Sequence, residues 1–151
     1  YTGEDTLSLH DALPIWRVAF DLTFRLEGEG RMTGDRLMVR RALSNLLSNA
    51  LRHADADSTV NVGIRSVADQ LTVTVSNKGE PIDPAAIPRL FDRFFRADRS
   101  RRQIDAEGAG LGLPIVAAIM HAHGGTASVQ SISRTTAVKL IFPANARLDQ
   151  I

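Results

Sequence analysis

Four short clusters in the sequence stand out by residue type and spacing, and the first two suit phosphate chemistry. Asn45, Asn49, Arg52 and His53 stand at i, i+4, i+7 and i+8 of a predicted helix, within roughly a 100° arc at 3.6 residues per turn. Two amide oxygens on one turn suit a hard cation such as Mg²⁺ without adding negative charge beside phosphates. An arginine one turn further on can reach an anion. The same stripe also fits a solvated helix face. Gly108-Ala109-Gly110-Leu111-Gly112-Leu113 lies directly ahead of a second predicted helix, where glycines permit close backbone approach and free amides meet phosphate. A flexible turn is the alternative. A dinucleotide-binding loop is excluded, because these glycines follow an arginine-rich stretch instead of a strand. Asn77-Lys78-Gly79-Glu80-Pro81-Ile82 forms a turn at a strand end. Leu90 to Arg96 gathers three of the six phenylalanines, Phe91, Phe94 and Phe95, and taken alone reads as a packing anchor under a loop.

These clusters must be held by the elements around them. The alternation of Val18, Phe20, Leu22, Phe24 and Leu26 predicts a strand over Arg17 to Leu26, and Glu27-Gly28-Glu29-Gly30 turns the chain. Leu37, Leu43, Leu46, Leu47, Ala50 and Leu51 recur at helical spacing, predicting a helix from Asp35 to His53 capped by Thr33 or Asp35. Two strands follow, with Val60, Val62 and Ile64, then Leu71, Val73 and Val75, joined near Ala68-Asp69. Pro81, Pro84 and Pro88 punctuate a loop with at most a short helix at Ala85 to Leu90. Arg96 to Glu107 reads as a loop. Leu111 to His123 is the second helix, with Pro114 in its first turn and Gly124-Gly125 stopping it. His121 and His123 fit its end as capping groups. Thr126 to Ile132 and Thr136 to Phe142 close an antiparallel pair. This order predicts an α+β fold with one mixed, mainly antiparallel sheet covered on one face by helices.

A chain of 151 residues fits one domain. With 44% hydrophobic and 23% charged residues it can bury a core. A net charge of +1 gives no electrostatic reason to expect nucleic acid or an anionic membrane as partner. The absence of cysteine excludes a disulfide scaffold and thiolate metal sites. The longest apolar run, Leu111 to Met120, is half the ~20 residues a membrane helix needs, so no direct membrane insertion is expected.

The order and spacing of the clusters carry more than any one of them. ALSNLLSNALRHA resembles the N box of sensor histidine kinases, SNKGEPI their first glycine box, LFDRFFRAD their F box and GAGLGLPIV their second glycine box. The four stand in family order, and the resemblance spans about residues 17–143. The F box separates this branch from the gyrase, heat-shock chaperone and mismatch-repair relatives. GDRLMVRRALSNLLSNALRHA and IPRLFDRFF look most like heavy-metal (copper or silver) sensor kinases.

The resemblance implies a Bergerat-type two-layer α/β sandwich that binds ATP and Mg²⁺ and transfers the γ-phosphoryl to a histidine. It implies Asn49 as metal ligand with Asn45 assisting, the latter standing where hydrolysing relatives carry a glutamate base. An amide cannot take a proton from water, which favours transfer over hydrolysis. Arg52 stands at a phosphate-reaching lysine position and His53 where an aromatic flanks the nucleotide. Asn77 occupies the place of an aspartate that accepts from the adenine amino group, and Pro81 replaces a glycine of that box. Gly79, Ile82, Phe94, Arg99, Gly108, Gly110, Leu111, Gly112 and Leu113 complete the implied nucleotide contacts. Arg96, Arg101 and Arg102 share the implied lid with Arg99.

The implied partners are a histidine-containing dimerisation domain of the parent kinase and, indirectly, a response regulator. The implied setting is a cytoplasmic domain of a bacterial inner-membrane sensor. Residues 1–16 show no sustained period and are expected to lie apart from the domain, Thr6 to Ile15 resembling translated adapter sequence. Residues 144–151 form a tail. His10-Asp11-Ala12-Leu13-Pro14 resembles the family's phosphoacceptor motif superficially. Its proline comes one residue early, and the gap to Asn45 is too short for two long antiparallel helices. Two rival readings remain: a non-catalytic nucleotide-binding interaction module, favoured by Asn77 and Pro81, and an ATPase of the wider superfamily.

Overall fold

The computed structural model describes residues 4–8, 23–28, 31–93 and 112–143. Strands β1 (Glu4–Ser8), β2 (Thr23–Glu27) and β3 (Arg31–Asp35) precede helix α1 (Arg36–His53). Strands β4 (Thr59–Val67) and β5 (Gln70–Lys78) follow, then a 3-10 turn at Ile87–Arg89, helix α2 (Gly112–Ala122), and strands β6 (Thr126–Ile132) and β7 (Thr135–Pro143).

The main sheet has the order β2-β4-β5-β7-β6. Only β2 and β4 run parallel; the other neighbours are antiparallel. Period-two alternation turns Val60, Val62 and Ile64 of β4, Leu71, Val73 and Val75 of β5, and Val138, Leu140 and Phe142 of β7 to one buried face. Against that face lie Val39, Ala42, Leu43, Leu46, Leu47 and Ala50 of α1 and Val116, Ile119 and Met120 of α2. The result is the expected two-layer sandwich, with both helices on one face of a mixed sheet.

Two details differ from expectation. Leu37, counted with the apolar stripe, is 75% exposed, while Val39 is buried in its place. At 100° per residue Leu37 falls on the side of Arg41, away from the sheet. The second is a pairing of β1 with β3, from Glu4↔Asp35 to Ser8↔Arg31, in segments for which the sequence predicts no element. Both strands are short and largely polar, so neither carries a readable period. The predicted strand over Arg17 to Leu26 is observed at Thr23–Glu27, and residues 17–22 lie outside the described residues.

α1 begins where Asp35 accepts a hydrogen bond from the Met38 amide at 3.0 Å, one of the four amides a helix start leaves free. His123, fully buried, pins the far end of α2 to the same point. Its Nδ1 donates to the Ile119 carbonyl at 2.8 Å, so Nε2 is left to accept from the Asp35 amide at 3.2 Å. Its ring meets Phe142 edge-on at 6.3 Å. The capping role expected for His123 is therefore extended to a link between the helices. Asp35→Ala should cost about 1 kcal/mol, read as a lower urea midpoint at unchanged slope; an unchanged midpoint would remove the cap from the account.

Candidate functional site

The His123–Asp35 link joins the C-terminus of α2 to the N-terminus of α1, so the packed helices run antiparallel. At about 1.5 Å per residue, the 11 residues of α2 carry the chain roughly 16 Å back along α1. That brings Gly112 about level with the turn holding Asn45 and Asn49. The start of α2 offers amides without intrahelical partners. Gly112 and Leu113 are half-buried there, and open space surrounds the position of a Cβ on Gly112.

Asn45 and Asn49 are half-buried on α1, and Arg52 and His53 are exposed about one turn past Asn49. The Asn45 Nδ2 is shielded from solvent yet has no hydrogen-bond partner. Leaving such a donor unsatisfied costs about 1–3 kcal/mol, which marks it as a group awaiting a ligand or water. α1 contains no acidic residue, while Arg36, Arg40, Arg41, Arg52 and His53 all lie on it. Its site-facing stripe is therefore compatible with an anion.

A second corner is built where α1 ends. The Asp55 amide donates to the Lys78 carbonyl at 2.8 Å and the Gly79 amide to the Arg134 carbonyl at 2.9 Å. Arg134 also pairs with Asp55 at 3.1 Å. A Cβ on Gly79 would overlap the His53 carbonyl oxygen, so the end of β5 approaches the end of α1 more closely than any side chain permits. Asn77, 5% exposed, is one of two buried polar residues among those described. Beyond it, the Ile82 amide donates to Ser131 Oγ at 3.1 Å, and the Thr136 hydroxyl donates to the same oxygen at 3.4 Å. These bonds lay residues 79–82 along the end of the β6–β7 hairpin.

The fold thus brings His53, Asn77, Gly79 and Ile82 to one corner, and sets Asn45 and Asn49 further along α1, with Gly112 and Leu113 at the start of α2 about level with them. Phe94, Arg96, Arg99, Arg101, Arg102, Gly108, Gly110 and Leu111 lie outside the described residues, as does His10. Sequence reasoning missed Asp55, Ser131 and Arg134, which hold the corner together. Arg134 adopts φ 63° after Ser133 at φ 49°, a left-handed two-residue turn without the Asn-Gly or Asp-Gly signature that reveals one.

Among the described residues no cluster of three or more His, Cys, Asp or Glu could hold a metal ion. The stripe on α1 supplies amide oxygens alone. Mg²⁺ is ordinarily held by one or two carboxylates together with substrate phosphates. The residues present therefore fit a Mg²⁺ that arrives on a polyphosphate, with an amide filling one position.

The chain is similar to known proteins in sequence and in fold. Residues 34–146 match the family described as histidine kinase-, DNA gyrase B- and HSP90-like ATPase. The chain is 51% identical over 116 residues to the sensor histidine kinase CusS of Escherichia coli, covering 77% of this chain and 24% of that protein. It is 42% identical over 127 residues to the sensor protein IrlS of Burkholderia pseudomallei, covering 83% of this chain and 27% of the relative. The chain thus spans about a quarter of the length of these relatives. Its fold is shared with the mycobacterial sensor histidine kinase MprB at a TM-score of 0.78 and 22% identity, covering 96% of this chain and 100% of that one.

Proposed function

The chain belongs to the histidine kinase-, DNA gyrase B- and HSP90-like ATPase family, and we propose from that premise that it donates the γ-phosphoryl of Mg-ATP to a histidine on a separate dimerisation domain. It is homologous to the ATP-binding catalytic domains of two-component sensor kinases, including heavy-metal sensors. The observation that carries the proposal is the buried, unpartnered amide of Asn45 beside the amide-rich start of α2.

In this reading Mg²⁺ bound to the nucleotide neutralises charge on the β- and γ-phosphates. Asn49 would supply an amide oxygen for the metal, and Asn45, a turn earlier, would donate from Nδ2 to a phosphate oxygen. Arg52 reaches phosphate from the exposed end of the stripe. The backbone amides from Gly108 to Leu113 receive phosphate at the helix start. Asn77 reads the base, with His53, Gly79, Ile82 and Phe94 around it, and Arg99 closes from the lid. Asn45 has no basic lone pair with which to take a proton from water, so it cannot serve as the base that hydrolysis requires. The acceptor is then a histidine, already a nucleophile. The parent protein is a bacterial inner-membrane sensor with this domain in the cytoplasm, passing its phosphoryl group to a response regulator. No described helix is long and apolar enough to cross a membrane.

Calorimetric titration of Mg-ADP, followed by transfer to a supplied histidine-bearing dimerisation domain, tests this. Wild type should bind in the micromolar-to-millimolar range, and Asn49→Asp, which places a charge beside the phosphates, should weaken binding at least tenfold. Mg²⁺ alone should give no heat. Nucleotide binding with no transfer would identify a non-catalytic module, and steady phosphate release would restore the ATPase reading. No binding at millimolar nucleotide would end the proposal.

A further inference from the structure

Among the described glycines, all but one have a reason within the chain or the nucleotide site. Gly28 and Gly124 take positive φ, Gly34, Gly79 and Gly125 back onto other atoms, and Gly112 opens α2. Gly63 does not. It sits mid-strand in β4 without positive φ, and nothing lies within 4 Å of where its Cβ would be. A glycine inside a strand weakens it, and such glycines mark a bulge, a tight bend, or a place where a ligand or another backbone comes close.

Gly63 points away from the helices, onto the sheet face that no described element covers. In register it stands in the row Glu27–Gly63–Thr74–Lys139 across β2, β4, β5 and β7, with Arg65–Thr72 in the next row. Strands about 4.8 Å apart put Lys139 roughly 10 Å from Gly63. Together these residues line an open concavity of about 460 Å³. Arg65 and Lys139 are exposed and make no ion pair with a described residue. Lys78 lies on the same face. The carboxylate in these rows is Glu27, the register partner of Gly63 on the edge strand β2. Against it stand Arg65, Lys78 and Lys139, so a chain of net charge +1 carries an excess of positive charge on this face.

We propose that this outer sheet face is a docking surface for an acidic segment of a partner protein, laid across Gly63 between Arg65 and Lys139. Charge complementarity selects the partner's sign, and the missing side chain at Gly63 gives its backbone room. A free anion is the weaker occupant. The two cations are hydrated and roughly two strands apart, and an exposed pair contributes little without further buried area. The proposal is independent of the nucleotide site.

The test is amide chemical-shift mapping on the isotopically labelled chain with an oligo-glutamate peptide of about ten residues, and in parallel with inorganic phosphate. Saturable shifts should centre on Gly63, Thr72, Thr74 and Lys139, and weaken steeply with salt. Gly63→Leu, which meets open space, should weaken the peptide at least tenfold, as should the double charge reversal Arg65→Glu with Lys139→Glu. Thermal midpoints of both variants, and their Mg-ADP affinity, should stay near wild type. Absent or scattered shifts, full retention by Gly63→Leu, or equal saturation by phosphate alone would each overturn the proposal.

Discussion

Replacing Asn45 by leucine should make the chain more stable and nearly inactive. The Nδ2 of Asn45 is shielded from water without a partner, and a buried unsatisfied donor costs about 1–3 kcal/mol. Leucine keeps the γ-branched skeleton, with somewhat larger methyl ends, and has no polar group to desolvate, so the substitution should raise stability by about 1 kcal/mol. For a chain of this size that is a rise of about 2–4 °C in Tm. If the amide is held for a phosphate oxygen, the same change removes an interaction made only with the ligand. Transfer should then fall at least 100-fold, about 2.7 kcal/mol at 1.36 kcal/mol per decade, and Mg-ADP should bind correspondingly less tightly. A merely structural asparagine predicts the opposite pairing, with lower Tm and intact nucleotide affinity. Asn45→Asp separates shape from chemistry. It keeps the size, loses the donor and adds charge, so it should lower both stability and transfer. Calorimetry and a transfer assay on the two variants decide the matter, and a leucine variant that keeps wild-type affinity would sink the assignment.

Where the sequence was legible, one physical period dominated. β4, β5 and β7 alternate cleanly because one face is buried and the other is open, and α1 repeats its apolar residues because one side meets the sheet. β1 and β3 escaped notice because five polar-leaning residues offer no period, and their pairing is settled by backbone bonds between distant segments. The candidate site divides in the same way. Asn45 and Asn49 are readable as a pair because helix geometry alone aligns them. Their nearness to Gly112 depends on the antiparallel packing fixed by His123 and Asp35, residues 88 apart in sequence. Leu37 misleads by residue type alone, because six residues at 100° each set it some 120° around the helix from Leu43. The corner around Asn77 was legible as a turn, but its bracing was not. Arg134 reaches Asp55 from a hairpin whose left-handed residues, Ser133 and Arg134, are types that seldom announce such a turn.

Gly79→Ala should be the most damaging single methyl that can be added to the described corner. The added Cβ would overlap the His53 carbonyl oxygen and come within 3.3 Å of Asn77 Nδ2. The obstacle is backbone, so no rotamer change relieves it; the end of β5 must withdraw from the end of α1. Withdrawal strains the Gly79 amide bond to the Arg134 carbonyl and the Asp55 amide bond to the Lys78 carbonyl. Overpacking costs about 1–3 kcal/mol and each weakened hydrogen bond about 1 kcal/mol, so the expected loss is roughly 3 kcal/mol. Gly63→Ala supplies the contrast, because its Cβ meets nothing within 4 Å. That change restricts the unfolded chain and should be neutral or stabilising by about 0.4–1 kcal/mol. Two identical chemical changes in neighbouring strands should therefore differ by some 3–4 kcal/mol in denaturation free energy. The functional consequence follows from the same displacement. Asn77 is buried two residues before Gly79, so moving the strand end shifts the proposed base-reading amide relative to His53 and Arg52. Mg-ADP affinity of Gly79→Ala, measured at a temperature where the variant is still folded, should fall at least tenfold while Gly63→Ala binds as wild type. A Gly79→Ala chain within about 0.5 kcal/mol of wild type would mean that the two ends do not touch as closely as the fold requires.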